Sequence, residues 1–412
     1  MGLKQVYERW TSINLVIRIL AGLLIGAVLA LAVPGLDPVG MLGTLFVNAL
    51  KAIAPILVMI LVMSALANSK PGLGSKFTLV LALYIGSTVV AATVAVLMSY
   101  MFPLTVTLIE PGETQEVVTD TWTLISGIII GIFTNPVTAI IDGNYLSILF
   151  WAALFGIIMK TYANETTKSV VSNLSEIVTL VIRVVIQFAP IGIMGLIYET
   201  VSTHGLEIFA EYGALIALLV GCMLIVILIT NPVIGALFMR RNPYPLLFRC
   251  LRDSAVTAFF TRSSAANIPV NLALCEKMGL SKDFYSVSIP LGATINMNGA
   301  AITITIMTLC AAFTLGMDVP VVMALLLCII STIAACGASG ISGGSLLLIP
   351  LACSMLNIGD DIAMQMVAIG FIIGVIQDSL ETALNSSADV YFTTVAEVAD
   401  ARKRGEELDL RI

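Results

Sequence analysis

A single histidine, His204, is all that the 412 residues offer for imidazole chemistry. It lies beside Gly205 in a short loop, and no second histidine exists to share a metal or relay a proton. Charge is scarce too: Asp, Glu, Lys and Arg make up 11% of the chain, where a soluble domain carries about 25%. Hydrophobic residues reach 58%, against about 45–50% in a soluble domain. One core cannot hide so much apolar surface, so a water-soluble globular protein is excluded and the bilayer is the solvent. The cysteines number seven, lie in or near apolar segments and include no C-x-x-C pair. That excludes a disulfide framework and leaves small buried thiols. The net charge of −6 comes from acids clustered in loops, and nucleic acid is not an expected partner.

What the chain does have is long apolar runs, at 12–33, 39–67, 76–103, 122–160, 174–199 and 209–239. Each reads as one net crossing, since about 20 apolar residues span the hydrocarbon core. The first follows Lys4 and Arg9, and Ala30-Leu31-Ala32 imitates a signal-peptidase site. A signal-peptide core is about 7–15 residues long, so this longer run reads as a retained helix. Gly22 and Gly26 form a small-xxx-small pair suited to helix packing. The fourth run is interrupted by Asn135-Pro136 and Asp142-Gly143-Asn144, which predicts two or three short pieces. Lys4/Arg9, Lys70/Lys76, Lys160/Lys168 and Arg240/Arg241 alternate along the chain with Asp37, Glu110–Asp120 and Glu207/Glu211. The positive-inside rule makes the basic set cytoplasmic, together with the N-terminus.

The last third breaks this pattern. The run Leu246–Cys275 holds Arg249, Arg252, Asp253 and Arg262 and has basic flanks on both sides, so it enters and leaves on the cytoplasmic face. The run Val321–Leu356 is flanked by Asp318 and Asp360-Asp361 and reads as re-entry from outside. Between them Tyr285–Leu315 crosses outward, and Ile362–Val395 crosses back to Arg402-Lys403-Arg404. A hairpin plus a helix, repeated in opposite orientation, is an inverted repeat, and its interruptions mark a site at the midplane. Those interruptions are Thr261-Arg262-Ser263-Ser264-Ala265-Ala266 and Gly337-Ala338-Ser339-Gly340-Ile341-Ser342-Gly343-Gly344-Ser345. Helix N-termini at such tips suit a carboxylate.

Asp378, Glu381, Thr382, Asn385 and Asp389 fall on one face of the final segment, within about 100° at about 100° per residue. Three acids on one stripe need a cation: a substrate ammonium, an inorganic cation or Arg262. Gly292-Ala293-Thr294-Ile295-Asn296-Met297-Asn298-Gly299 predicts an unwound turn. Its freed carbonyls suit a hard cation such as Na⁺; a kink capped by the asparagines predicts the same break without an ion. The carboxylate-binding tips and Asp378 together describe a zwitterionic amino acid.

Thr261-Arg262-Ser263-Ser264, Pro290-Leu291-Gly292-Ala293-Thr294-Ile295-Asn296-Met297 and Asp378…Asn385…Asp389 resemble the signatures of the dicarboxylate/amino acid:cation symporter family, the glutamate-transporter homologues. The resemblance covers essentially the whole chain and is strongest to the family's bacterial serine/threonine:sodium branch. It implies an all-α polytopic membrane protein with eight transmembrane helices and two re-entrant helical hairpins. It also implies a homotrimer in membrane lipid, with both termini cytoplasmic in a bacterial inner membrane. A scaffold would comprise 1–75, 104–173 and 174–199. An elevator-like transport domain would comprise 76–103, 209–240, 242–316 and 321–400. The implied activity is Na⁺-coupled uptake of L-serine and L-threonine, with no enzymatic step.

By the same resemblance, Asp378 and Thr382 bind the substrate amino group with the Arg262 carbonyl. Ser264 and Asn385 hold the carboxylate, and Ser263, Ala300, Ile341, Ser345 and Glu381 complete the pocket. One Na⁺ site takes Gly292, Asn296, Asn385 and Asp389; a second takes Thr294, Met297, Ala335, Cys336 and Ala338. A third, built on Tyr84, Ser87, Thr88 and Asn296, has Asn298 where the family motif has Asp. Glu381 stands where acidic-amino-acid carriers have Arg, and Ala300 where many members have Thr. These departures oppose aspartate or glutamate as cargo and a full set of three sodium ions. The alternative within transport is a sodium- or proton-coupled carrier of acidic amino acids or C4-dicarboxylates. An intramembrane serine hydrolase lacks a base. A channel does not suit hairpins entering from opposite sides.

Overall fold

A computed structural model of the chain describes residues 13, 15–68, 75–108, 126, 130–338, 342–406, 408 and 410. Every regular element among these residues is helical. The first half comprises α1 (Leu15–Ala32), α2 (Asp37–Ala67), α3 (Ser75–Met101), α4 (Pro136–Asp142), α5 (Tyr145–Tyr162), α6 (Glu165–Gln187) and α7 (Ala189–His204). Next, α8 (Ile208–Ile225) continues through a π-turn into α9 (Asn231–Met239). The last third holds α10 (Tyr244–Cys250), α11 (Val256–Thr261), α12 (Ser264–Lys277), α13 (Lys282–Ile295) and α14 (Asn298–Thr314), then α15 (Val321–Ala335), α16 (Ile349–Met355) and α17 (Asp360–Lys403). Six stretches are long and apolar enough to cross a membrane among the described residues: 37–64, 76–101, 165–187, 208–239, 282–314 and 360–403.

Local chemistry sets the breaks. Asn135 caps α4 by accepting from the Val137 amide at 2.9 Å, with Pro136 at the first helical turn. Gly143 closes α4 with a left-handed φ of 68°, and Asn144 caps α5 through the Ser147 amide. The Asn-Pro and Asp-Gly-Asn signals therefore end and start helices as expected. The acidic loop 110–120 lies outside the described residues.

One apolar run differs from its simple reading, and another keeps to it despite a proline. The run at 174–199 is not one helix: α6 begins earlier, at Glu165, and stops at Gln187, and α7 restarts at Ala189. Pro190 is the cause, because it has no amide to continue the ladder and is tolerated at a first turn. In 208–239 the chain stays helical through Pro232, and the π-turn Val226–Thr230 absorbs the missing donor.

α1 packs along α7, and α2 packs on α5, α6 and α7. Glycines set the closeness: a Cβ on Gly22 would lie 2.1 Å from the Pro190 carbonyl oxygen, and one on Gly26 2.4 Å from that of Met194. Gly43 of α2 and Gly195 of α7 meet in the same way. The Tyr198 hydroxyl donates to Val33 O at 2.7 Å and accepts from Leu36 N at 2.6 Å, fixing the α1–α2 turn.

The second half is organised around α17. Its 44 residues make about 66 Å of helix, twice the roughly 30 Å hydrocarbon core. α3, α14 and both helical reversals pack against it, and nearly all of its middle is buried. Arg262 turns α11 back into α12, and the two arms of that reversal are joined by Ser254 Oγ donating to Asn271 Oδ1 at 2.6 Å. Asn267 Nδ2 and Asn271 Nδ2 donate onward to Ser386 Oγ of α17 at 2.8 and 3.1 Å. The seven cysteines are all unpaired thiols, as expected.

Gly22→Leu should destabilise the purified protein by about 1–3 kcal/mol through overpacking against α7, lowering its melting temperature in detergent. Gly86→Ala, where a Cβ meets nothing within 4 Å, should stay within about 0.5 kcal/mol of wild type. Equal behaviour of the two variants would refute close α1–α7 packing.

Candidate functional site

The middle of α17 carries the polar stripe inward: Asp378, Glu381, Thr382, Asn385 and Asp389 are all buried. Asp378 meets both reversals at once. Its Oδ2 accepts from Arg262 Nε and from Ser342 Oγ, each at 2.7 Å, and its Oδ1 accepts from the Gly343 amide at 3.2 Å. Of the cations left open by the sequence, Arg262 is the one paired with Asp378 in this structure. Arg262 adopts a left-handed φ of 52°, a conformation uncommon for a non-glycine residue. The buried ion pair offsets that local cost, and Ser263 then caps α12 by accepting from the Ala266 amide at 3.2 Å. Ser264 is buried in the first turn behind it.

One turn along, Glu381 Oε2 accepts from Ser345 Oγ at 2.8 Å, so the segment after 341 is tied to α17 through two acids. Gly299 is a requirement here, because a Cβ on it would lie 2.9 Å from the Glu381 backbone. Ala300 is fully buried next to it in α14. Thr382 points its hydroxyl back to the Asp378 carbonyl at 2.7 Å, a bond within its own helix. Ile341 lies outside the described residues.

The break between α13 and α14 falls at Asn296 and Met297, both non-helical. The Gly299 amide, which a continuous helix would send back to Ile295, donates instead to Asn385 Oδ1 at 2.7 Å. Asn385 Nδ2 in turn donates to the Met297 sulfur at 3.4 Å. Cys336, at the end of α15, donates its thiol to the released Ile295 carbonyl at 3.7 Å. Ala335 O accepts from the Ala338 amide at 3.0 Å, and the Thr294 hydroxyl turns to Leu291 O at 2.7 Å. The break, the end of α15 and Met297 are thus brought into one neighbourhood.

Asp389 is fully buried. Its Oδ1 accepts from Asn296 Nδ2 at 2.9 Å, and its Oδ2 has no partner among the described residues. Gly292 lets the carboxylate lie against the backbone, since a Cβ there would come within 2.7 Å of Oδ1. A buried carboxylate with an open oxygen beside an unwound backbone fits a hard monovalent cation. The cluster around Asn298 differs. Its Oδ1 already accepts from Thr88 Oγ1 at 2.8 Å and Ser87 Oγ at 3.1 Å. The Tyr84 hydroxyl shares a 2.8 Å hydrogen bond with Thr393. Ser87, Thr88 and Asn298 do assemble, with the Tyr84 carbonyl beside them, as a neutral set whose acceptor oxygen is already taken and whose Asn298 Nδ2, free among the described residues, is a donor, a poor fit to a cation.

Ser342, Gly343, Thr303 and Gln377 also belong to the site and were not singled out from the sequence. The first two lay inside the serine-rich segment. Gln377 directly precedes Asp378, and a buried amide four residues before a buried Glu is a usable signal.

Buried acids clasped by two helical reversals, beside an unwound helix in an all-helical membrane protein, define a secondary transporter. The profile of the sodium:dicarboxylate symporter family matches residues 15–398, and the chain belongs to that family. It is an integral membrane transporter of small molecules, not an enzyme. Similar proteins include the serine/threonine transporter SstT of Bifidobacterium adolescentis, 54% identical over 407 residues, covering 99% of this chain and 95% of the relative. Proteins of the same description in Enterococcus faecalis and Streptococcus agalactiae are 52% and 51% identical, over 97% and 96% of this chain and 95% and 98% of their own lengths.

Removing one member of a buried ion pair costs about 3–5 kcal/mol, because the other charge is left uncompensated. Thermal melts in Na⁺ without substrate should show large losses for Arg262→Gln and for Asp378→Asn. The double variant should lose clearly less than their sum. Strict additivity would mean that the two groups do not pair.

Proposed function

We propose that this protein is a sodium-coupled symporter that takes up L-serine and L-threonine. The observation that carries the reading is the placement of two carboxylates, Asp378 and Glu381, one turn apart on one buried face of α17. Asp378 is the partner of the substrate ammonium, which takes the place of the Arg262 guanidinium. Glu381 faces the side chain. A hydroxyl can donate to it, whereas a second carboxylate at 4 Å meets about 4 kcal/mol of repulsion at an effective dielectric of 20. That excludes aspartate and the C4-dicarboxylates as principal cargo, despite the family's description. The names of the relatives, at 51–54% identity over almost the whole chain, support the same cargo.

Ser264 and Asn385 hold the substrate carboxylate, with the Arg262 carbonyl, Ser263, Ala300, Thr382, Ser345 and Ile341 completing the pocket. Na⁺ is coordinated first by Asp389 with oxygens of Gly292, Asn296 and Asn385; the open Asp389 Oδ2 supports this. A second ion lies among Thr294, Met297, Ala335, Cys336 and Ala338. The neutral Asn298 cluster holds no third. Eight transmembrane helices and two re-entrant hairpins form the chain, the hairpins being α10–α12 and α15–α16. The protein is a homotrimer in membrane lipid with cytoplasmic termini. Segments 1–75, 104–173 and 174–199 form its scaffold, and 76–103, 209–240, 242–316 and 321–400 move as an elevator.

Proteoliposomes test this directly. An inward Na⁺ gradient should drive uptake of labelled serine, threonine should compete, and aspartate should not. Asp389→Ala should raise the Na⁺ concentration for half-maximal uptake, with serine uptake recovering in part at high Na⁺ because ion and substrate affinities are reciprocally linked. Uptake indifferent to Na⁺, or driven equally well for aspartate, would overturn the proposal.

A further inference from the structure

The hydrogen bonds to Glu381 are lopsided. Oε2 accepts from Thr303 Oγ1 at 2.8 Å, Ser345 Oγ at 2.8 Å and Gln377 Nε2 at 2.5 Å. Gln377 Nε2 also donates to Thr303 Oγ1 at 2.7 Å, so the amide and the hydroxyl brace each other. Among the described residues none donates to Oε1. Thr303 and Gln377 are both fully buried. They stand on α14 and α17, two helices packed along each other, whereas Ser345 belongs to the segment after the second tip.

This division has a physical consequence. The terminal torsion of a glutamate is broad and nearly two-fold, so an unbraced carboxylate turns freely between its two oxygens. Ser345 can brace Glu381 only while its own segment stays in contact with α17. Thr303 and Gln377 brace it permanently, from the body of the helix pair. They therefore keep Oε2 occupied and leave Oε1 as the open acceptor. Positions i and i+3 of a helix stand about 5–6 Å apart at Cβ. A β-hydroxy amino acid spans that separation, with its ammonium on Asp378 and its hydroxyl on Glu381.

We propose that Thr303 and Gln377 are positioning residues that hold Glu381 with Oε1 turned to the cargo, and so set the preference for a hydroxyl-bearing side chain over a methyl. The proposal rests on the serine/threonine reading above and adds to it the device that produces the selectivity. Neither residue touches the cargo. Losing either removes one of the two lasting braces on Oε2 and loosens the carboxylate, which weakens the hydroxyl bond and leaves contacts to the ammonium and α-carboxylate as they were.

The experiment is sodium-driven uptake of labelled L-serine in proteoliposomes, competed with unlabelled L-serine and L-alanine, for wild type, Thr303→Val, Gln377→Leu and Thr303→Ser. The ratio of the two inhibition constants is the readout. A hydrogen bond to a charged group supports roughly ten- to hundredfold discrimination. Thr303→Val and Gln377→Leu should each lower the serine-over-alanine preference by about tenfold, mainly through a weaker KM for serine. Thr303→Ser, which keeps the hydroxyl, should restore the ratio. A purely structural role would lower the amount of active protein or its maximal rate and leave the ratio unchanged. An unchanged ratio in the two disruptive variants overturns the proposal. If Thr303→Val does not assemble, Thr303→Ala and Gln377→Met are read by the same ratio. Failure of wild type to take up serine would sink the functional reading itself, a result distinct from an unchanged ratio.

Discussion

The carboxylate of Asp378 joins parts of the chain that lie more than a hundred residues apart: Arg262 at one helical reversal, and α17 with the segment following the other reversal. A charge so deeply buried is tolerable only when it is paired and hydrogen-bonded, so the tips must close on α17 wherever no other cation serves. The left-handed backbone at Arg262, the Ser263 cap of α12 and the contact of Ser342 and Gly343 with α17 are all arranged around that requirement. On the proposed function, a cargo ammonium replaces Arg262 there without leaving the acid alone.

The remaining groups on α17 divide the work by their degree of satisfaction. Among the described residues, Glu381 takes three donors on one oxygen and none on the other, and Asp389 has an unpartnered oxygen beside the unwound turn. Thr382 spends its hydroxyl within its own helix, and Asn298 Oδ1 is taken up by Thr88 and Ser87, which leaves only the amide nitrogen without a partner among the described residues. The buried Ser254, Asn267, Asn271 and Ser386 network ties both arms of the first reversal to α17 at a level where no cargo is expected.

Much of this was legible in the residues. Serines and glycines in apolar runs, the Asn-Pro and Asp-Gly-Asn punctuation and the acidic stripe each have a local physical cause, and each stands where that cause places it. The glycine pair at 22 and 26 meets backbone carbonyls of α7, as small-xxx-small spacing implies. What stayed hidden depends on tertiary geometry. Hydropathy runs smoothly over Pro190, so the division of α6 from α7 does not show in an apolar count. Thr303 is one of several hydroxyls in an apolar helix, and only its distance to Glu381 separates it from Thr305 or Thr308. The pairing of Arg262 with Asp378 also needed coordinates, because the two are far apart in sequence.

The most direct test is calorimetry of L-serine binding to the purified protein in saturating Na⁺, comparing wild type with Asp378→Asn. The substitution keeps the shape and removes the charge. A charge-assisted hydrogen bond contributes about 1.5–3 kcal/mol, so affinity should fall roughly ten- to more than hundredfold. Wild-type affinity in Asp378→Asn would contradict the central role given to this carboxylate.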